Sequence, residues 1–138
     1  MAHNITKIIK VNVRVPDLKE ASEFFEGVLG AELLHDRGSD TIGDFDGRQI
    51  KFGDDVIDMV APNNPDGVLA KSIEKRGPGL DSLCLQVENL EDTVTALKDH
   101  GVDVINRTEH HGHKIAFIHP RDAFGILIEM IEGPKELP

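Results

Sequence analysis

The sequence predicts an α+β fold in which two β-α-β-β-β modules form a curved mixed sheet around a shared cavity. Two observations lead to this prediction: a strand-helix pattern occurs twice, and each copy ends in an apolar strand that contains one acidic residue. These residues are Asp58 in VIDMV and Glu129 in ILIEMI. Because an unpaired buried carboxylate costs several kcal/mol, each should face a cavity, a cation or a partner.

The first module spans residues 6–62 and opens with an alternating strand. Its two faces are Lys10, Asn12 and Arg14 on the polar side and Val11, Val13 and Val15 on the apolar side. Asp17, with Glu20 three residues later, predicts the start of a helix that ends at Gly30. Three strands follow in AELLHDR, near FDGRQIKFG and in VIDMVAP, and Gly38, Gly47 and Gly53 are among the turn residues that separate them.

Residues 63–79 form the predicted linker, and the pattern then restarts in the second module, residues 80–132. The polar side of its first strand consists of Ser82, Cys84 and Gln86. Asn89 predicts the next helix cap, and Gly101 the helix end. VDVIN, HKIAFIH and GILIEMIE supply three more strands, with PRDAFG as a turn before the last.

The two copies align at their first strand, at the end of their helix and at their last strand. KVNVRV from Lys10 lies over SLCLQV from Ser82, and a shift of one residue across the first helix then places Gly30 on Gly101 and Asp58 on Glu129. The matching inward positions are therefore Lys10 and Asp58 in one copy and Ser82 and Glu129 in the other. A polar cavity of this kind, with Asn12, Arg14, Cys84 and Gln86 on the same faces, is the best candidate for a binding site.

Composition narrows the class of partner. A net charge of −10 argues against nucleic acid and anionic membrane, although not against a small anionic ligand. A single cysteine, Cys84, suits a reducing compartment. No apolar run approaches the roughly 20 residues of a membrane span, and the N-terminus lacks a signal-peptide core. We therefore expect a cytoplasmic protein.

Three segments carry a resemblance to a known family: VPDLKEASEFFEGVLGAEL, PNNPDGVLAKSIEKRGPGLDSLCLQVENLEDTVTALKDHGV and HGHKIAFIHPRDAFGILIEMIE. They resemble the vicinal oxygen chelate superfamily, which includes glyoxalases, bleomycin resistance proteins and extradiol dioxygenases, and within it the methylmalonyl-CoA epimerases. The resemblance implies four cavity positions that bind a divalent metal through a His and a Glu or Gln from each half. In this chain those positions are Lys10, Asp58, Ser82 and Glu129.

Both family histidines are thus replaced. A protonated lysine cannot ligate a metal, and a serine hydroxyl is a poor ligand, so we expect no metal cofactor. If a metal is bound, Asp58 and Glu129 are its ligands. The family's acid/base glutamate would fall near 42–44, where Asp44 is the available carboxylate.

Two further motifs allow alternative interpretations. His111 and His113 of the HHGH run could form a metal pair on one strand face, or the run, which begins at His110, could be a polar loop. Cys84 could be a nucleophile or a small buried thiol that lines the pocket.

Two functions from different classes remain. The first is an epimerase-like isomerase or lyase acting next to a carbonyl of a small acyl or carboxylate substrate. Lys10 and Arg14 would stabilise the enolate, and Asp58 or Glu129 would move the proton. The second is a non-catalytic, resistance-type protein that binds a small molecule. In either case we expect Lys10 to pair with a carboxylate in place of the metal, and the chain to form a homodimer.

Overall fold

The computed structural model describes residues 5–133, which fall into two compact units. The first unit contains residues 10–81, and the second groups residues 5–9 with 82–133. No helix in this part of the chain combines the length and apolar character needed to cross a membrane.

The elements follow the predicted order. The first half contains β1 (Ile5–Arg14), α1 (Leu18–Ser22, continued by a π-helical segment, Glu23–Val28), β2 (Glu32–Gly38), β3 (Phe45–Phe52) and β4 (Asp55–Pro62). Helix α2 (Val68–Arg76) follows, within the segment expected to be a linker. The second half contains β5 (Gly79–Val87), α3 (Leu90–Asp99), β6 (Val104–His110), β7 (His113–Ile118), a 3₁₀ turn (Pro120–Asp122) and β8 (Leu127–Glu132).

Strand order is the same in both halves. The first has the order β2-β3-β4-β1 and the second β5-β8-β7-β6. In each, the first strand pairs in parallel with the last, and the remaining neighbours are antiparallel. The predicted α+β fold of β-α-β-β-β modules with mixed strand pairing is confirmed.

The register of the parallel pairs repeats as well. Asn12 lies opposite Asp58, and Cys84 lies opposite Glu129. These are the residues that the sequence repeat places on each other, so the two acidic positions are equivalent in the fold.

Helix α1 begins as predicted and then widens. The Asp17 carboxylate accepts hydrogen bonds from the backbone N–H groups of Lys19 and Glu20. In the π-helical segment the Leu29 N–H donates to the Phe24 carbonyl, five residues back, at 3.0 Å. The left-handed Gly30 (φ +81°) then ends the helix, as the equivalent Gly101 (φ +81°) does after α3.

Each unit has its own apolar core. In the first, Leu18, Ala21 and Phe25 of the helix pack on Ile50 and Met59 of the strands. In the second, the Asn89 side chain caps α3 by accepting from the Asp92 N–H, and the core residues are Val87, Leu90, Ala116, Ile118, Ala123 and Met130. Both cores lie on the helix side of the strands, which leaves the opposite side for polar residues.

The prediction that Gly47 lies in a turn is wrong. Gly47 is inside β3, opposite Gly38 on one side and Val60 on the other. A Cβ atom there would lie 3.3 Å from Thr41 Cγ2, so the position favours a residue without a side chain. A glycine that allows close packing within a strand has the same sequence signature as a turn glycine.

Candidate functional site

A row of polar side chains crosses the strands of the first unit on the face opposite its core. Asn12, Asp58 and Gln49 lie opposite one another on β1, β4 and β3. Lys10 lies two residues before Asn12 on the same strand, so both side chains lie on the same face of the sheet. Asn12, Asp58 and Gln49 are all buried, so their polar groups depend on protein partners.

An ion pair forms the centre of this row. Lys10 Nζ lies 2.7 Å from Asp58 Oδ2, and the Asp58 residue is only 8% exposed. The predicted contact between Lys10 and a carboxylate is confirmed. Asp58 Oδ1 is buried and has no hydrogen-bond partner among residues 5–133. One oxygen of this carboxylate is thus anchored, while the other makes no bond within the described chain.

Two residues that the sequence did not single out hold Asp58 from its other side. Gln49 Nε2 lies 3.4 Å from Asp58 Oδ2, and the Gln49 Oε1 atom lies 3.4 Å from Arg37 Nη2. Because Arg37 can only donate, the two contacts fix which end of the Gln49 amide faces Asp58. The residues that contact one another across the strands are therefore Lys10, Asp58, Gln49 and Arg37.

Arg14 points to a different set of partners. Its Nε donates to the Gly77 carbonyl at 2.7 Å and its Nη1 to the Leu80 carbonyl at 2.5 Å. Nη1 also lies 3.5 Å from Asp81 Oδ1. Burial raises the pKa of Asp81, while the charges of Arg14 and Arg76 oppose the rise. The Arg14 guanidinium thus braces the segment between α2 and β5.

The second unit carries the other predicted site residues. Ser82, Cys84, Gln86 and Glu129 are all buried. Glu129 lies opposite Cys84 on one side and Phe117 on the other. The Gln86 carbonyl and Oε1 both lie near Thr6 Oγ1, at 3.3 and 3.4 Å. The expectation that these four residues share one cavity with Lys10 and Asp58 stays a prediction.

Comparison with known proteins identifies the family. The sequence-family model of the Glyoxalase/Bleomycin resistance protein/Dioxygenase superfamily matches residues 10–117 of the chain. The chain belongs to this superfamily.

Three relatives of this glyoxalase-superfamily chain carry related names. The mitochondrial methylmalonyl-CoA epimerase of Bos taurus is 27% identical over 136 residues, which cover 92% of this chain and 74% of the relative. The ethylmalonyl-CoA/methylmalonyl-CoA epimerase of Cereibacter sphaeroides is 28% identical over 136 residues, with 91% and 97% covered. The crystal structure of methylmalonyl-CoA epimerase from Mycobacterium tuberculosis superposes with a TM-score of 0.86 at 30% identity and covers 98% and 93% of the two chains.

The metal that the family resemblance implies would require ligands at four positions, and the residues at those positions fit it poorly. In the first unit, Lys10 is the residue at one of the positions that the resemblance assigns to a ligand, and an ammonium group has no lone pair to give. The same ammonium already contacts Asp58 Oδ2, which is the carboxylate at the other ligand position. In the second unit the residue at the position where the resemblance implies an imidazole is Ser82, whose hydroxyl is a poor metal ligand.

The histidine run of this glyoxalase-superfamily chain forms a tight turn. His110 pairs with His113 across β6 and β7, and the two residues between them, His111 and Gly112, have φ values of 49° and 81°. The suggestion that His111 and His113 share a strand face is therefore wrong, because His111 is a turn residue. His113 Nδ1 lies 3.0 Å from the Glu132 carbonyl.

Asp44 and Cys84, two further candidates from the sequence, lie in different surroundings. Asp44 is exposed, and its Oδ2 lies 3.5 Å from Asn64 Nδ2. Cys84 is fully buried, as a small structural thiol would be.

A second polar cluster lies beside α1. Arg48 contacts Glu26 through two bonds of 2.7 and 2.8 Å, and also Asp36 at 3.2 Å. Hydrogen bonding from Arg48 lowers the pKa of Glu26, against the raising effect of burial. The open groove next to this cluster has a volume of about 320 Å³ and is lined by Leu18, Lys19, Ser22, Glu23, Asp36 and Arg48. Since the Arg48 charge is already matched by two carboxylates, the groove has no surplus charge from that residue to offer an anion.

Proposed function

We propose that this protein is an epimerase-like enzyme, an isomerase or lyase that removes a proton from the carbon next to a carbonyl in a small acyl or carboxylate substrate. The observation that carries the proposal is the buried Lys10–Asp58 pair, with its contact of 2.7 Å. It combines a fixed positive charge with a carboxylate, the two groups that this chemistry requires. The names of the epimerase relatives support the same reaction class.

Each residue has a distinct task in the proposed step. When the C–H bond breaks, its electron pair moves to the carbonyl oxygen and forms an enolate. The Lys10 ammonium stabilises that developing negative charge. Asp58 accepts the proton and returns it, and Glu129, the equivalent carboxylate of the second unit, is the alternative carrier. In this proposal Arg14, expected from the sequence to help stabilise the enolate, is given no direct part, because its Nε and Nη1 already donate to the Gly77 and Leu80 carbonyls.

The experiment is hydrogen exchange at the α-carbon. Methylmalonyl-CoA, the compound in the relatives' names, is incubated with the protein in D₂O without added metal, and loss of the α-proton is followed by NMR. We expect exchange above the spontaneous rate, and a fall of about 100-fold in Lys10→Met and in Asp58→Asn. Lys51→Met is the matched control, because Lys51 forms an exposed pair with Glu32 at 3.8 Å. Equal rates in the wild type and in both site variants would refute the proposal.

A second candidate function is non-catalytic binding of a small molecule. It is favoured by the engagement of Arg14, which leaves the first unit with fewer groups for catalysis than the sequence indicated. Saturable binding of the thioester without exchange would select this function. Exchange with release of a leaving group would instead indicate a lyase.

We also propose that the protein acts as a cytoplasmic homodimer. Cys84 is the single cysteine of the chain and is buried, which supports a reducing compartment. Light scattering at micromolar concentration should give twice the chain mass, and a monomer would contradict the dimer.

A further inference from the structure

The inference concerns the charge at the centre of the polar row, and it rests on the same Lys10–Asp58 pair as the proposed function. We infer that the Lys10 ammonium is a resident cation, which takes the place that a divalent metal would have beside Asp58. The positive charge is then part of the chain itself.

The contact geometry is the first step. Lys10 Nζ lies 2.7 Å from Asp58 Oδ2, a length typical of a charge-assisted hydrogen bond. A metal ion bound to the same oxygen would have to displace the ammonium. That exchange would leave the lysine charge close to a doubly charged ion, in a place where both side chains of the pair are largely shielded from water.

The charge balance of the row is the second step. Lys10 and Arg37 are cationic, Asp58 is anionic, and Gln49 between them is neutral. The four contacting side chains therefore carry a net positive charge before any ion is added. Sites that hold a divalent metal usually consist of carboxylates and neutral donors, whereas two of the four side chains here are cations.

The third step is the support of Asp58. Gln49 is 3% exposed and donates to the same oxygen that Lys10 contacts. Arg37 fixes the Gln49 amide from the other side. Asp58 is thus held towards the ammonium by two neighbours that cannot act as anions.

The test is a Mn²⁺ titration of the ¹⁵N-labelled wild-type protein, in which bound paramagnetic metal broadens nearby backbone signals. We expect no selective broadening of Asn12, Gln49 or Asp58 at millimolar Mn²⁺. Selective broadening centred on these residues would overturn the inference. The measurement requires no variant to fold and no catalytic activity, so its result is independent of whether the α-proton exchange succeeds.

A Co²⁺ titration of one variant tests whether removal of the Lys10 cation allows a metal to bind beside Asp58. Lys10→His replaces the cation with a neutral ligand beside Asp58, and we expect it to bind Co²⁺ at least tenfold more tightly than the wild type. Lys51→His is the matched control, since it makes the same exchange beside the exposed Glu32, and its affinity should equal that of the wild type. Equal affinity in Lys10→His and the wild type would contradict the inference.

Discussion

Truncation of Lys10 to alanine tests the central ion pair through stability. The Lys10 and Asp58 side chains are only 16% and 11% exposed, so water cannot replace the lost partner freely. After truncation Asp58 Oδ2 keeps its contact with Gln49 Nε2 at 3.4 Å, and Asp58 Oδ1 still has no hydrogen-bond partner among residues 5–133. Breaking a buried pair from one side costs about 3–5 kcal/mol, and the partial exposure here places the expected loss near 3 kcal/mol.

Urea unfolding at neutral pH measures this loss. The chain has no Trp and no Tyr, so circular dichroism is the appropriate signal. Lys51→Ala is the control, because its pair with Glu32 is 3.8 Å long with side chains 36% and 76% exposed, and it should cost less than about 1 kcal/mol. The double variant Lys10→Met with Asp58→Leu should recover most of the stability, since both charges are then removed. If Lys10→Ala and Lys51→Ala lose the same unfolding free energy, the Lys10–Asp58 pair is not shielded from water.

Three further predictions concern other parts of the chain. Glu26→Gln should cost about 1 kcal/mol at pH 7; because Arg48 lowers the Glu26 pKa from its ordinary 4.5, the difference from wild type in urea titrations should shrink as pH falls below that value. Burial raises the Asp81 pKa above its ordinary 3.8, so the unfolding free energy falls as pH rises through the raised pKa. Asp81→Asn should flatten that decline. A pH profile of stability that is the same in the variant and the wild type would contradict the raised Asp81 pKa. Phe124 has a left-handed backbone (φ +57°) and is 101% exposed. Because glycine adopts this conformation without strain, Phe124→Gly should raise the unfolding free energy by roughly 1 kcal/mol. A lower unfolding free energy in the same urea assay would contradict this prediction.

The fold could be predicted because local signals agreed with one another. The alternating valines of β1, the caps at Asp17 and Asn89 and the matched glycines Gly30 and Gly101 each depend on a few neighbouring residues. Their repetition in the same order then indicated the β-α-β-β-β plan. No long-range information was required for these features.

The site could be predicted only in part. Asp58 was found because it interrupts an apolar strand, and Lys10 because the repeat and the family resemblance both assign it to an inward position. Gln49 and Arg37 were missed because their positions depend on the pairing of β2 with β3, where the register shifts twice. Knowledge that Ile50 faces the core would have been enough to place Gln49 on the polar face.

Arg14 shows a different limit. The sequence correctly places it on the polar face, but its partners are carbonyl groups of residues 63 and 66 positions further along the chain. Backbone carbonyls have no residue-type signature, so a guanidinium that braces a loop and one that binds a ligand look alike in the sequence.

The widened turn of the first helix allows two copies of unequal length to fold in the same way. The two copies of the module differ in length by one residue between their first strand and the glycine that ends the helix. Helix α3 in the second copy is an ordinary α-helix, whereas the first copy has six π-helical residues, Glu23–Val28. A helix accommodates one extra residue by forming i→i+5 bonds over one turn, as Leu29 does with Phe24. The wide turn therefore takes up the one-residue difference in length between the two copies, so that β1 and β4 bring Asn12 opposite Asp58 in the same way that β5 and β8 bring Cys84 opposite Glu129.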